Sequence, residues 1–259
     1  MRPERLILVC GTGTEVGKTW VSGRLLVELR RRGLTVAARK PAQSFDIDPE
    51  GVGLGGATDA ERLGEASGEH PDTVCHPFRS YHRAMAPPMA AEALGLPPFT
   101  VAELIGELVW PAQAVRVGVV ETAGGVRSPQ AADGDVVDMV AALAPDVVVL
   151  VADAGLGTIN GVRMSMDALA GASPGDGARP VDGARPVDGA RPGDGAGTES
   201  AAGTGSGPRT VVVLDRFDDR DEIHRRNRQW LAERDGYHVV VIPGGESELA
   251  DLVGGEERD

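Results

Sequence analysis

Aromatic residues are scarce, at 3% of 259 residues, although 41% of the chain is apolar. A core of this size must therefore be built from Val, Leu, Ala and Ile. Cysteine is almost missing: Cys10 ends an apolar run and Cys75 sits in a loop-like stretch, which excludes a disulfide framework. No apolar run approaches the roughly 18 residues of a membrane span. The start, Met1 to Arg5, lacks the apolar stretch and cleavage site of a signal peptide, so a cytoplasmic protein is expected. Positive charge is also in deficit, the net charge being −13. That balance would repel the phosphates of nucleic acid or of an anionic membrane, and neither is expected as a partner. His70, Cys75, His76 and His82 fit no usual zinc spacing.

What is present begins with Leu6-Ile-Leu-Val-Cys10, an uninterrupted apolar run that reads as a strand buried on both faces of a parallel sheet. Gly11-Thr-Gly-Thr-Glu-Val-Gly17-Lys18-Thr19 follows. A helix comes next, with Val21, Leu25 and Leu29 on one face and Gly33 at its stop. Strand, glycine-rich turn, Gly-Lys-Thr and helix make a phosphate-cradling loop, whose N–H groups and positive helix end hold a polyphosphate. Lys18 would reach the β and γ phosphates, and the Thr19 hydroxyl would ligate Mg²⁺. Five residues separate Gly11 from Gly17, where the usual pattern has four.

Residues 34–40 read as a second strand with Lys40 at its carboxyl end. A lysine there points into the ligand crevice of a parallel sheet or is simply solvated. Thr58-Asp59-Ala-Glu starts a helix with Thr58 or Asp59 as cap; Asp59 is a metal-linked carboxylate or an N-cap, and the local pattern favours the cap. Short helices are expected near 89–94 and 100–109, then a strand over 115–120 that delivers Glu121-Thr-Ala-Gly-Gly125. An acid at a buried strand end, beside glycines that admit close backbone approach, suggests a second metal-organising carboxylate. Residues 135–143 read as a helix and 146–152 as a strand. Asp153-Ala-Gly-Leu-Gly157-Thr-Ile-Asn then opens a helix through Leu169, with an anion-binding or merely structural start.

From Gly171 to Pro208 the composition collapses to small and polar residues around the repeat Asp-Gly-Ala-Arg-Pro-Val, beginning at Asp176. A disordered, solvated insertion is expected. Beyond it, strands over 209–215 and 237–242 alternate with helices over 219–234 and 246–253. The fold class is α/β: one doubly wound, mostly parallel sheet with helices on both faces, spanning 1–259 and interrupted at 171–208.

The ordered set Gly-Thr-x-Thr-Glu-Val-Gly-Lys-Thr, Lys40-Pro-x-x-Ser44, Thr58-Asp59-Ala, Glu121-x-Ala-Gly-Gly and Gly157-x-Ile-Asn resembles the ATP-dependent dethiobiotin synthetases over residues 4 to about 170. The resemblance implies closure of a cyclic urea from 7,8-diaminononanoate, CO₂ and MgATP by a homodimer. It implies catalytic roles for Lys40, Lys18 and Thr14, and Mg²⁺ held by Thr19, Asp59 and Glu121. The nucleotide site would comprise Gly13, Thr14, Glu15, Val16, Gly17, Lys18, Thr19 and Trp20 with Asp59, Glu121, Gly124, Asp215 and Arg216. Ser44 would contact the diamine, and Gly157, Thr158, Ile159 and Asn160 of a second subunit would receive its carboxylate. Asp59 thereby moves from cap to ligand.

Four positions depart from the family pattern. Asp215 stands where an Asn usually reads adenine, and a carboxylate accepts but does not donate. Thr122 and Phe45 replace glycines, and Gly161 a histidine; Phe45 could narrow the diamine pocket. Two rival readings share the strand–loop–helix. A partitioning-type switch ATPase would carry an extra lysine early in the loop, where Thr12, Gly13 and Thr14 stand. A cobyrinate-type amide ligase would bring a glutaminase half that is not found.

Overall fold

The computed structural model describes residues 1–47, 56–171 and 209–255. Its centre is β1 (Arg5–Gly11), flanked by β5 (Val117–Glu121) on one side and β6 (Val147–Asp153) on the other. Beyond β5 lies β2 (Val36–Arg39), and beyond β6 come β7 (Arg209–Asp215) and β8 (Val239–Val241). All these neighbours pair in parallel.

Alternation along β1 explains the two layers. Leu6, Leu8 and Cys10 join one apolar cluster, while Ile7 and Val9 join the other. On the second face pack α1 (Lys18–Arg31), α2 (Asp59–Ser67) and α9 (Glu246–Gly254), through Leu25, Leu29, Leu63 and Leu249. The first face is covered by α5 (Val101–Gly106), α6 (Val136–Leu143) and α7 (Thr158–Ala170), through Leu104, Met139 and Val162. Strands covered on both faces need continuous apolar runs, which is why β6 reads Val-Val-Val-Leu-Val. The doubly wound reading is thus met. The chain leaves β1 for β2, returns through β5, then crosses β1 to reach β6, so the carboxyl end of β1 is the switch point where ligand crevices form.

Several boundaries differ from expectation for local reasons. The helix expected near 89–94 is α4 (Pro87–Ala93), because two prolines fit its first turn, where no N–H bond is needed. The helix expected over 100–109 stops at Gly106, and Leu108 to Trp110 run on as irregular chain. Asp221 caps α8 (Glu222–Gln229) by accepting from Ile223 and His224 N–H, so Asp219 and Arg220 stay outside; Trp230–Arg234 continue as a wide π turn. The loop-like stretch around Cys75 contains α3 (Pro71–Val74) and β4 (Ser80–Tyr81), which pairs in parallel with β3 (Gln43–Ser44) in a small ladder. The expected insertion lies outside the described residues, but β7 on its far side pairs with β6 over seven register positions.

Candidate functional site

The carboxyl ends of β1, β2 and β5 open into a cavity of about 760 Å³. Its floor is the turn between β1 and α1. Glu15 and Gly17 both lie in the left-handed region, at φ 60° and 94°. Gly17 has no alternative, because a Cβ there would lie 1.9 Å from Asp215 Oδ2. Glu15 is held in its strained form by Arg216, whose Nη2 donates to the Glu15 carbonyl at 2.8 Å and whose Nη1 donates to Asp153 at 2.9 Å. Gly11 belongs to β1 and the Thr12 N–H bonds Val151 O, so the fifth residue of the long spacing is absorbed by the strand.

Lys18 and Lys40 line the cavity together. They are the chain's two lysines; every other basic side chain among 26 is arginine. Lys18 Nζ donates to the Gly13 carbonyl at 2.8 Å. Burial and the nearby Lys40 pull its ammonium down to about 8, against the attraction of Glu121 and Asp59. Lys40 is 2% exposed, with Nζ 2.7 Å from Asp59 Oδ2 and 2.9 Å from Glu121 Oε1. Burial alone would lower the Lys40 ammonium, but the two carboxylates overcome it and hold it above its usual value. Lys40 in turn holds Asp59 below the usual carboxylate range.

Thr19 completes the cluster. Its Oγ1 lies 2.8 Å from Asp59 Oδ1 and 2.7 Å from Glu121 Oε1, and its one proton can bond only one of them at a time. Asp59 is free to do this because Thr58 takes the cap, accepting from the Glu61 N–H while Glu61 answers the Thr58 N–H. The cap favoured by local pattern for Asp59 therefore gives way to its neighbour. A hydroxyl and two carboxylates are the hard oxygen donors that a magnesium ion takes, and a positive charge already stands between the two acids.

Most of the expected loop residues border the same cavity: Thr14, Glu15, Gly17, Thr19 and Trp20, with Ser44, Gly124 and Arg216. Gly13 enters through its carbonyl, and Val16 packs against the core instead. Asp215 is not in the lining. Its side chain is buried beneath Gly17, Oδ1 has no hydrogen-bond partner among the described residues, and burial pushes its carboxyl up. Gly157, Thr158, Ile159 and Asn160 form the start of α7 and its cap and stay outside this chain's own cavity, and the buried Thr158 Oγ1 has no hydrogen-bond partner among the described residues. Phe45 is not among the residues that line the cavity; its ring leans on His82, centroids 5.2 Å apart. Thr122 turns its hydroxyl back to Val9 O. His70 and His76 cap short turns, and no cluster of three His, Cys, Asp or Glu occurs among the described residues.

Three supporting residues escaped the sequence reading. Gln43 accepts from the Ala60 N–H and donates to Ser80, tying the start of α2 to the small ladder. Gln130 clasps Ala123, accepting from its N–H and donating to its carbonyl, which fixes the turn after Glu121. Ser22 donates to Glu121 Oε2 at 2.7 Å. The restriction of lysine to two positions was a legible signal that could have marked both at once.

A family model described as an AAA domain matches residues 5–174. The ATP-dependent dethiobiotin synthetase BioD of Rhodococcus jostii is 37% identical over 169 residues, covering 64% of this chain and 68% of that protein. The enzyme of the same name from Anaeromyxobacter dehalogenans is 39% identical over 167 residues, covering 64% and 70%. Among solved structures, the signal recognition particle receptor FtsY of Elizabethkingia anophelis matches at TM-score 0.46 and 14% identity, covering 98% of this chain and 66% of that one. By the extent and identity of the sequence matches, the chain belongs to the ATP-dependent dethiobiotin synthetase family.

Proposed function

We propose that the cavity carries out the reaction of its family as an ATP-dependent ligase, closing a cyclic urea from a vicinal diamine and CO₂ in biotin synthesis. One amine captures CO₂ as a carbamate, a carbamate oxygen attacks the γ-phosphorus, and ADP leaves. The second amine then attacks the carbamate carbon and expels phosphate. Such a sequence needs positioning and charge neutralisation rather than a protein nucleophile. The observation that carries the reading is the meeting of both lysines with Asp59, Glu121 and Thr19 at the end of the phosphate-cradling turn.

In this reading Lys18 and the backbone N–H groups of residues 13–19 bind the polyphosphate, with Thr14 at its rim. Lys40 stabilises the carbamate and the mixed anhydride. Thr19, Asp59 and Glu121 would hold Mg²⁺, which supplies positive charge to the phosphate oxygens when bound. Ser44, beside Met85 and Pro87 at the far side of the cavity, contacts the diamine. Trp20, Gly124 and Arg216 border the nucleotide, whereas Asp215, the position expected to read the base, lies behind Gly17 outside the cavity lining. The α7 start serves a second subunit's cavity in a homodimer; the exposed Leu156 and Met164 beside it support this. A cytoplasmic setting agrees with two buried free thiols. The chain is one ATP-binding domain, with 171–208 inserted between α7 and β7.

The test is incubation with 7,8-diaminononanoate, bicarbonate and MgATP, with mass detection of the cyclic urea and of ADP. Formation of the urea in step with ADP is expected; ADP without urea would refute the reading.

A further inference from the structure

Glu121 has no exposure to solvent, and its two oxygens have different company. Oε1 faces the cavity cluster, 2.9 Å from Lys40 Nζ and 2.7 Å from Thr19 Oγ1. Oε2 points into α1 and receives the Ser22 hydroxyl at 2.7 Å. Ser22 is itself fully buried and lies one helical turn beyond Lys18, on the same face of α1. A carboxylate fixed only at Oε1 could still turn about its last side-chain bond. A donor on Oε2 removes that freedom and presents the remaining oxygen at one angle. Ser22 also spends its one proton on Glu121 rather than on a carbonyl of its own helix, the usual partner of a mid-helix serine.

We propose that Ser22 is a positioning residue: through Glu121 Oε2 it sets the angle at which Oε1 joins Thr19 and Asp59 in holding the divalent cation. The proposal rests on the reading of Thr19, Asp59 and Glu121 as cation ligands. Partners that orient a ligating carboxylate typically govern metal affinity by 10- to 100-fold. Ser22 does not line the cavity, so its loss should leave the contacts to nucleotide and diamine in place.

The experiment measures Mn²⁺ binding by paramagnetic resonance at saturating ADP in the full chain, Ser22→Ala, Glu121→Gln and the double variant. Metal-free ADP affinity and melting temperature are recorded for each. Ser22→Ala is expected to weaken Mn²⁺ about 10-fold with metal-free ADP affinity unchanged. The double variant should bind Mn²⁺ no more weakly than Glu121→Gln alone, since one residue acts through the other. Unchanged Mn²⁺ affinity in Ser22→Ala, with or without a fall in melting temperature, would overturn the proposal and leave the ligand reading standing. Additive losses in the double variant would also overturn it. No effect of Glu121→Gln on Mn²⁺ would remove the ligand reading and this proposal together.

Discussion

Arg39 and Lys40 are neighbours at the tip of β2 and equally buried, each 2% exposed, yet their surroundings have nothing in common. Arg39 is clamped at several points. Its Nε donates to Val109 O at 2.7 Å, its Nη1 to Glu69 at 2.8 Å, and its guanidinium lies 4.9 Å from the Trp110 ring centre. Lys40 is a single point of charge held between two carboxylates at the wall of a cavity. A planar fork suits a fixed structural joint, whereas a compact ammonium on a flexible stem can shift from one anion to another. The rest of the chain follows the same division: wherever a cation only pairs or solvates, the sequence uses arginine, and its two lysines both face the proposed phosphate site.

Breaking the cavity side should have the largest effect. Lys40→Ala is expected to lower kcat by at least ~10³-fold, about 4 kcal/mol of transition-state stabilisation, while ADP still binds. Lys40→Arg should fail to restore turnover, because the fork cannot occupy the space between Asp59 and Glu121. Steady-state kinetics with calorimetric ADP titration separates the two; normal turnover in either variant would remove Lys40 from the chemistry.

On the joint side the effect should fall on stability. Arg39→Ala leaves Glu69 with only the Ala38 N–H as partner among the described residues and is expected to cost about 3 kcal/mol in denaturant unfolding, with kcat per folded molecule within twofold. A loss of kcat without a loss of stability would erase the distinction between the neighbours.

Asp215 sharpens the comparison with a buried group of the opposite charge. Burial raises its folded-state value above the ordinary one, so between those two values the native protein binds more protons than the unfolded chain. Stability therefore falls as pH rises through that window, and the penalty is complete at pH 7. Asp215→Asn should be more stable at pH 7, a gain that vanishes as the pH falls below the ordinary carboxylate range. Because the side chain lies behind Gly17 and outside the cavity, the preference for ATP over CTP and GTP should be unchanged by the substitution. Equal melting temperatures at pH 7 would contradict the first expectation, and an altered base ranking the second.

The smallest effect is expected from deleting Asp176 to Gly197. Melting temperature should stay within about 2 °C, a shift below roughly 1 kcal/mol for a chain this long, and turnover should be unchanged. A collapse of either would show that the proposed insertion belongs to the working domain.

The sheet was legible because its strands bury both faces and so declare themselves as unbroken Val and Leu runs, from Leu6-Ile-Leu-Val to Val147-Val-Val-Leu. The loop glycines and Lys18 were legible because a phosphate cradle demands residues in fixed order. Other features depend on distance in space rather than in sequence. The local pattern left Asp59 as cap or ligand, since nothing in sequence shows that Thr58 takes the cap or that Asp59 meets Thr19 forty positions away. The β3–β4 ladder joins two-residue strands too short to show any period. Ser22 lies within a continuous helix and has no local mark, since its significance comes from a carboxylate ninety-nine residues away.

Two lysines allow a direct test of whether both ammonium groups meet one phosphoryl group. Lysine labelled with ¹³C at Cε should give two side-chain signals, assigned by Lys40→Ala. With diamine and bicarbonate present, MgADP and aluminium fluoride, a mimic of the phosphoryl group in transfer, should move both signals together. Movement of the Lys18 signal alone, with Lys40 unchanged, would contradict convergence on a single group.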